Sequence, residues 1–342
     1  MPRGLQVEPV TQWLREHVPG LELPLDFELV AAGGSNLTYQ VKDASGRRYA
    51  LRRPPEGKRL ATAHDVGREV RVMGALSETT VPVPDIVASC EDESVTGAPF
   101  FVMSFLDGLI LRDQAAAEAL DADACRRATD SLIDVHVALH ATDIDAIGLG
   151  SLAKREGYVE RQLARWRKQA ERSKTRDLPL LSEIHDRLAA NVPPASGAIS
   201  LVHGDYRFDN CVLGNDDQTV IGVLDWELCT LGDPVADFCW SLLYWADPGD
   251  EYAFLNSPPT LHPAFPRRAD VAESYARKSG RDLSELSFFT TFGWWKMACI
   301  VEGVYARLQA GSGGGMATEG PELVAQRVDT MLEIAARQMR EI

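Results

Sequence analysis

The stretch that decides the fold runs from residue 201 to residue 226 and reads LVHGDYRFDNCVLGNDDQTVIGVLDW. It contains two short apolar segments, Cys211–Gly214 and Val220–Leu224, which have the length and the residue types of β-strands. The residues between them, Asn215–Gln218, favour a turn because Asn and Asp side chains bond to nearby backbone groups. The stretch therefore predicts a β-hairpin that follows a polar loop.

Three oxygen-bearing side chains are predicted to meet at the open end of this hairpin. If the turn is centred on residues 217 and 218, antiparallel pairing puts Asn210 opposite Asp225 to within one residue, and Asp205 can loop back beside them. Carboxylate and amide oxygens are the ligands that Mg²⁺ prefers. Phosphoryl transfer uses such a set, because one aspartate orients and deprotonates the attacking hydroxyl while the other two groups hold the metal. We therefore expect a magnesium-dependent phosphotransferase site.

The order of the predicted elements divides the chain into a sheet-rich part and a helical part. Near the N-terminus, strands are predicted at residues 27–32, 37–42, 47–52, 85–90 and 99–105, with helices at 8–18 and 63–76. After residue 108, helices are predicted at residues 113–141, 156–172, 180–190, 234–245, 267–278, 283–309 and 320–339. This order is neither a repeated βαβ unit nor an all-helical pattern. We expect an N-terminal lobe at residues 1–104 and a C-terminal lobe at 105–342.

The composition is that of a folded globular protein, and it restricts the classes of partner. The 342 residues include 50 acidic and 35 basic ones, which gives a net charge of −15. This balance argues against broad nucleic-acid binding, and an anionic substrate would need a local basic pocket. No two of the six cysteines are closer than ten residues, so we expect reduced, mostly buried thiols in a cytoplasmic protein. The sequence shows no signal-peptide pattern and no apolar run long enough to cross a membrane.

The motifs resemble those of the aminoglycoside phosphotransferase and choline kinase-like family, a branch of the protein-kinase fold. Its signature is matched by His-Gly-Asp-x₄-Asn at 203–210, by Asp225-Trp226 and by Gly-Asp-Pro-x-x-Asp at 232–237. Further matches, which extend over nearly the whole chain, include Gly33-Gly34-Ser35-Asn36, Leu51-Arg52-Arg53-Pro54-Pro55 and Glu302–Arg307. The last two pieces resemble a subgroup that is fused, in some proteins, to acyl-CoA dehydrogenases. That subgroup is associated with the phosphorylation of hydroxyacyl substrates.

The resemblance implies a protein-kinase-like, two-lobed α+β fold, with a small antiparallel-sheet N-lobe and a mainly helical C-lobe. It implies ATP and Mg²⁺ as cofactors, Asp205 as the catalytic base, and Asn210 and Asp225 as the metal ligands. It also implies nucleotide-binding residues, which are Ser35 and Asn36 in the loop that covers the phosphates, Arg52 and Glu69 as the phosphate-binding pair, and Met103 and Phe105 at the hinge that meets adenine.

The third predicted strand departs from the family at the phosphate-binding position. Where the family has lysine, this sequence has Arg52. Arginine keeps the charge and can hold two phosphate oxygens, but it is longer and planar. The adjacent Arg53 faces the opposite side of the strand and is the competing candidate for this role. The substitution leaves open a protein that binds nucleotide without catalysis.

Several polar residues near these motifs have structural explanations. We expect His203 to brace the catalytic loop, and we expect Asp233 and Asp237 to cap the following helix and brace the same loop. His136 and His140 are spaced one helical turn apart, but the sequence shows no carboxylate partner for them, which argues against a metal site.

Three further groups of residues have two possible roles each. Glu227 is either a supporting carboxylate for the metal site or a solvated residue, and Arg207 contacts either an anionic substrate or a neighbouring carboxylate. The aromatic cluster between residues 288 and 295 is expected to pack between helices rather than to line a pocket.

The sequence therefore predicts a kinase that phosphorylates the hydroxyl of a small molecule. The subgroup resemblance favours a metabolic hydroxyacyl-type acceptor. One alternative is an aminoglycoside-type antibiotic kinase, because an acidic protein attracts a polycation. The other is a non-catalytic nucleotide-binding scaffold, which the arginine at position 52 supports. The sequence leaves the oligomeric state and the choice between ATP and GTP open.

Overall fold

The structure is a computed structural model, and it describes residues 4–32, 36–55, 66–194, 198–311 and 320–341. The strands are β1 (Asp26–Ala32), β2 (Leu37–Lys42), β3 (Arg48–Arg53), β4 (Ile86–Cys90), β5 (Phe100–Ser104), β6 (Gly108–Leu109), β7 (Ser200–Val202), β8 (Cys211–Gly214), β9 (Val220–Val223) and β10 (Thr230–Gly232). The helices are α1 (Val7–His17), α2 (Val66–Leu76), α3 (Gln114–Ala117), α4 (Ala122–Ala141), α5 (Tyr158–Arg172), α6 (Pro179–Ala190), α7 (Pro234–Leu242), α8 (Arg268–Ser279), α9 (Leu286–Gln309) and α10 (Pro321–Gln338).

The chain forms two compact units. Unit 1 consists of Met1–Leu109, Val212–Asn215 and Val220–Leu228, and unit 2 consists of Ile110–Cys211, Asp216–Thr219 and Cys229–Ile342. The hairpin predicted from the sequence is present, because β8 and β9 are neighbours in a small sheet of order β6-β8-β9. The expected lobe limits of 1–104 and 105–342 stay a prediction.

Unit 1 is built on a five-stranded antiparallel sheet of order β1-β2-β3-β5-β4. The central strand β3 places Arg52 between Thr38 on β2 and Phe101 on β5. On β2 the alternate residues Leu37, Tyr39 and Val41 are buried, as expected of a strand with one face on a core. This sheet fixes the position of Arg52 in the middle of a rigid element.

The core of unit 1 forms where α1 packs against the sheet. Val10 and Leu14 lie on the same face of α1, one turn apart, and both are buried. They belong to the same cluster as Tyr39, Leu51 and Phe100 of the sheet. Burial of such side chains stabilises the unit by roughly 1.5–3 kcal/mol for each large apolar side chain.

Unit 2 is mainly helical, and its core surrounds α9. The expected aromatic packing is confirmed, because five aromatic side chains of α9 are buried in the core of this unit: Phe288, Phe289, Phe292, Trp294 and Trp295. The Trp295 indole also donates a hydrogen bond to the Leu181 carbonyl of α6, at 2.9 Å. Strands β7 and β10 pair in an antiparallel ribbon; β7 is followed by the loop at residues 203–210, and β10 is followed by α7.

The elements agree with the sequence-based expectations in type but not always in extent. The single helix predicted at 113–141 is wrong, because α3 and α4 are separate helices. Each begins at its own aspartate cap: Asp113 accepts from the Ala116 N–H, and Asp121 accepts from the Ala124 N–H. Strand β3 also lies one residue later than expected.

All six cysteines are buried and free, as expected. Among the described residues, none of the helices combines the length and the apolar character needed to cross a membrane.

Candidate active site

Strand β3 directs Arg52 toward two carboxylates of unit 1. The Arg52 Nε donates to Glu69 Oε1 of α2 at 3.0 Å, and an Arg52 terminal nitrogen donates to Asp225 Oδ1. The side chains of Arg52 and Glu69 are 11% and 1% exposed, so this ion pair is held away from water. The pair expected between Arg52 and Glu69 is therefore present, and Asp225 joins it.

Asp225 reaches Arg52 because of its unusual backbone. Its φ of 66° lies in the left-handed region, which costs less for aspartate than for most other residues. The next residue, Trp226, is fully buried, and its indole donates to the Val223 carbonyl at 2.9 Å. The buried indole anchors the turn after β9, and the turn directs the Asp225 carboxylate to β3.

Asn36 and Glu227 complete this cluster. The Asn36 side-chain amide donates to Glu227 Oε2 at 3.1 Å and lies 3.4 Å from Glu69 Oε1. Two roles were considered for Glu227, a supporting carboxylate and a solvated residue. Its contact with Asn36, a predicted site residue, agrees with the first. Ser35, the other residue expected in the phosphate-covering loop, lies outside the described residues.

The cluster contains more acidic groups than basic ones. Burial raises the pKa of Glu69 to about 7, against the influence of Arg52, and the carboxylates of Asp225 and Glu227 raise it further. Burial alone would lower the pKa of Arg52, but the same three carboxylates raise it. Three carboxylates around one guanidinium leave a net negative charge, which a bound cation would neutralise. The donor set, made of hard oxygens with surplus negative charge, fits Mg²⁺.

The other residues expected at the nucleotide have the following positions. Arg53 is buried and donates to the Pro54 carbonyl and to the Thr96 hydroxyl, whereas Arg52 contacts Glu69. Met103 is buried on β5, and Phe105 follows that strand. Their roles at the adenine stay predictions.

In unit 2, the loop at residues 203–210, which we call the catalytic loop after the role predicted for Asp205, holds Asp205 and Asn210 in direct contact. The Asn210 amide nitrogen donates to the Asp205 backbone carbonyl at 2.8 Å and to its carboxylate at 3.0 Å. Gly204 has a φ of +83°, a conformation that glycine adopts without strain. Both hydrogen bonds use the amide nitrogen of Asn210, so its amide oxygen is available as a ligand.

Arg207 supports the same loop from the side. Its guanidinium lies 3.3 Å from the Asp205 carboxylate and 2.8 Å from Asp209 Oδ2, and it stacks 4.8 Å over the Tyr244 ring. Burial raises the pKa of Asp209 to about 6, with Arg207 opposing the shift. Of the two contacts considered for Arg207, the structure shows the neighbouring carboxylates.

Asp237 braces the catalytic loop from α7. Its Oδ2 accepts the His203 backbone N–H at 3.0 Å, and its Oδ1 accepts the Gly204 N–H at 2.8 Å. Asp233 caps α7 by accepting the Val235 and Ala236 N–H groups. The expectation of one capping and one bracing aspartate matches these contacts.

The Asp237 carboxylate is also the partner of His136 and His140, which the sequence alone does not reveal. Nε2 of His136 and Nε2 of His140 lie 3.1 and 3.2 Å from Asp237 Oδ2. His140 Nδ1 lies 2.7 Å from the Tyr275 hydroxyl. These three ligating groups are close enough to bind a metal. The hydrogen bonds already account for the ring nitrogens that face Asp237, so we interpret the cluster as a brace.

The burial of this network determines its charge states. Burial lowers the pKa of His136 and lowers the pKa of His140 to about 3. Burial alone would raise the pKa of Asp237, but hydrogen bonds from the two histidines hold it well below its usual range. The network therefore contains two neutral rings and one ionised carboxylate at neutral pH.

An apolar pocket lies beside residues 206–209 of the catalytic loop. It has a cavity volume of about 40 Å³, which is room for roughly three water molecules. Its apolar lining includes Leu111, Leu132, Ile133, Leu242, Trp245 and Leu255. Arg207 and Tyr244 line it as well, so the arginine that contacts Asp205 also forms part of the pocket wall.

Comparisons with known proteins agree with these motifs. A model of the phosphotransferase enzyme family matches residues 26–288. Acyl-CoA dehydrogenase family member 11 of Gallus gallus is 33% identical over 322 residues, which are 92% of this chain and 41% of that protein. The chain thus spans less than half the length of this curated relative.

Solved structures show the same fold. A protein of Ralstonia eutropha, named as a candidate aminoglycoside phosphotransferase, is 32% identical with a TM-score of 0.80, and the match covers 98% of both chains. A GDP complex of aminoglycoside 2′-phosphotransferase-IIIa is 16% identical with a TM-score of 0.63, over 98% of this chain and 99% of that one. These similarities confirm the expected kinase-like, two-lobed α+β fold.

The buried His140 ring predicts a loss of stability in acid. Histidine has a pKa near 6.5 in an unfolded chain, but the pKa of folded His140 is about 3. Below pH 6.5, this histidine therefore binds a proton in the unfolded chain more readily than in the folded one. Between pH 7 and pH 5 the free energy of unfolding should fall by about 2 kcal/mol through this residue. Denaturant unfolding of the chain and of His140→Gln across this range measures the effect.

The free energy of unfolding of His140→Gln should depend less on pH than that of the unchanged chain. The difference should correspond to about one bound proton, whatever the absolute stability of the variant. His17→Gln, which changes an exposed histidine of α1, should keep the full pH dependence. Identical pH slopes for the chain and for His140→Gln would contradict a neutral, buried His140.

Proposed function

Because the chain belongs to the phosphotransferase enzyme family and is therefore a small-molecule phosphotransferase, we propose that it transfers the γ-phosphoryl group of ATP to a metabolic hydroxyacyl-type acceptor. The observation that carries this proposal is the catalytic loop, in which Asp205 contacts both Asn210 and Arg207. A carboxylate fixed in this way can receive the proton of an attacking hydroxyl.

The residues of the chain divide the reaction between them. Asp205 orients the acceptor hydroxyl and takes its proton, and Asp237 keeps the loop in position through the His203 and Gly204 N–H groups. Arg52, held by Glu69, contacts the phosphate oxygens of the nucleotide. This division requires no change of the observed hydrogen bonds within the catalytic loop.

We assign Mg²⁺ binding to Asn210 and Asp225. The amide oxygen of Asn210 and the second carboxylate oxygen of Asp225 are hard ligands of the type that this ion selects. When bound, Mg²⁺ neutralises charge on the phosphate oxygens. The surplus of carboxylates around Arg52 supports this assignment, because it favours a cation beside Asp225.

The apolar pocket beside the loop supports the choice of acceptor. Leucine, isoleucine and tryptophan side chains match a hydrocarbon chain better than a sugar ring, whose hydroxyl and amino groups would lose their hydrogen bonds to water. The similarity to a protein named as an acyl-CoA dehydrogenase family member favours the same acyl chemistry.

Replacement of the proposed base tests the mechanism. Asp205→Asn should lower kcat by about 10²–10⁴-fold, because the amide cannot accept the hydroxyl proton. The affinity for Mg-ATP should change little, because this residue acts on the acceptor. Asp216→Asn, an exposed aspartate of the hairpin turn, is the matched control and should keep its activity. Equal losses of nucleotide affinity and of kcat in Asp205→Asn would exclude a role as the base.

Replacement of Asp225 tests the metal assignment. In Asp225→Ala, added Mg²⁺ should no longer strengthen ATP binding in a calorimetric titration, because a metal ligand is lost. Glu28→Ala, an exposed carboxylate on β1, should keep the normal response to Mg²⁺. A normal response to Mg²⁺ in Asp225→Ala would rule out this assignment.

The acceptor is tested by measuring ADP release across four classes of alcohol. These are hydroxy acids, their CoA thioesters, aminoglycosides and choline-like alcohols. We expect kcat/KM to be at least about tenfold higher for a hydroxyacyl compound than for the other classes, which corresponds to ~1.4 kcal/mol of transition-state stabilisation. A preference for aminoglycosides would identify an antibiotic kinase instead. Tight ATP binding without any acceptor-dependent ADP release would identify a scaffold.

A further inference from the structure

Unit 2 contains a second cavity, which is separate from the apolar pocket. It has a volume of about 260 Å³, which is room for on the order of twenty water molecules. Its walls come from α5, from the segment that joins α5 to α6, from α6 and from Glu302 of α9. None of the residues that line it belongs to the catalytic loop or to the cluster around Arg52.

Arg167 of α5 brings an unsatisfied donor to this cavity. Its Nε donates to Glu171 Oε1 at 2.8 Å, but its Nη1 is buried and has no hydrogen-bond partner among the described residues. Asp186 Oδ1 of α6 lies 3.8 Å from this Nη1, which is an ion-pair distance but too long for a hydrogen bond. Buried donors are nearly always paired, so an orphaned guanidinium nitrogen on a residue that lines a cavity indicates a place for an oxygen ligand.

A buried ion pair forms another part of the wall. Glu302 is buried, and its Oε2 accepts from Arg176 Nε at 3.2 Å, with Arg176 Nη2 at the same distance. Glu302 begins the Glu302–Arg307 motif, which the proposed function does not use. The ion pair ties the segment between α5 and α6 to α9, so this residue of the motif helps to fix the shape of the cavity.

The charges that are withdrawn from water at this cavity leave a positive excess. The side chains of Arg167 and Arg176 are 28% and 23% exposed, and that of Glu302 is 2% exposed. The other charged residues that line the cavity or pair with these arginines are at least half exposed and are screened by water: Glu171, Lys174, Asp177, Asp186 and Asp329. Two partly buried guanidiniums against one buried carboxylate favour a ligand with a single negative charge.

The rest of the lining is mostly apolar. Ala170 of α5 and Leu181 of α6 are buried, and Leu178 lies just before α6. Ser182 of α6 adds a hydroxyl, which can donate a further hydrogen bond. Apolar side chains beside an unsatisfied cationic donor match an aliphatic chain that ends in an anionic oxygen group.

We propose that this cavity is a second ligand site, which binds the carboxylate of a small aliphatic acid through Arg167. The planar fork of a guanidinium can hold both oxygens of a carboxylate. The inference goes beyond the proposed function, because the site uses none of the residues assigned to phosphoryl transfer. The net charge of −15 does not oppose it, because the binding of an anion depends on the charges close to the site.

Two probes of equal chain length, hexanoate and hexanamide, test this inference. Their binding is measured by calorimetry, and its location is measured by hydrogen exchange. The unchanged chain should bind hexanoate more tightly than hexanamide by about ten- to hundredfold, which is the usual effect of a hydrogen bond to a charged group. Hexanoate should slow the exchange of backbone amides in residues 167–182, which carry most of the site.

Variants identify the residues responsible. Arg167→Gln should abolish both the preference for hexanoate and the protection of residues 167–182. Ser182→Leu, which keeps the arginine but fills part of the cavity, should weaken the binding of both probes there, so the test does not depend on the folding of a single variant. Arg172→Gln, which changes an exposed arginine of the same helix outside this cavity, should keep the preference. Asp205→Asn should keep it as well.

Three results would overturn the second site. The first is equal binding of acid and amide by the unchanged chain, or no binding of either, which would mean that the cavity holds water alone. The second is an unchanged protection of residues 167–182 by hexanoate in Arg167→Gln. The third is protection confined to residues 203–210 and lost in Asp205→Asn, which would place the acid at the catalytic loop.

Discussion

The hydrogen bonds that converge on the buried Asp237 carboxylate are the interaction on which the catalytic loop depends. Its two oxygens accept from the backbone of His203 and Gly204 and from the rings of His136 and His140. Removing a carboxylate from water costs several kcal/mol unless its oxygens are fully bonded. The network compensates for that cost, and in doing so it fixes the backbone that carries Asp205. The loop geometry is therefore secured by residues from α4 and α7 as well as by contacts within the loop, such as that of Asn210 with Asp205.

Arg52 imposes a comparable constraint on unit 1. A single guanidinium contacts Glu69 and Asp225, and Glu227 lies close enough to influence its pKa. The fork of arginine can engage two carboxylates at once, which the compact ammonium of lysine does with less directional control. The departure from the family's lysine thus fits the local chemistry of this cluster. It gives Asp225 a fixed partner on a rigid strand, and it leaves the surplus negative charge that a divalent cation would offset.

Short sequence motifs predict contacts between residues that are close together in the chain, and the structure contains such contacts. The contact of Asp205 with Asn210 follows from their spacing, whereas that of Arg52 with Glu69 is implied by the family resemblance. The contact of Asn36 with Glu227 spans 191 residues, and no local pattern encodes it. The partner of the histidine pair was missed for the same reason, because Asp237 lies on another helix.

The net charge of this protein and the groups inside its site act on a ligand over different distances. The net charge of −15 acts at long range, where salt screens it beyond a Debye length of about 8 Å. It can raise the encounter rate of a cation, but it does not select among bound molecules. Selection depends on groups that have lost part of their water, and beside Asp205 these include Arg207. Contacts inside a site act at short range and outweigh a diffuse field, so the net charge alone does not favour a polycationic acceptor.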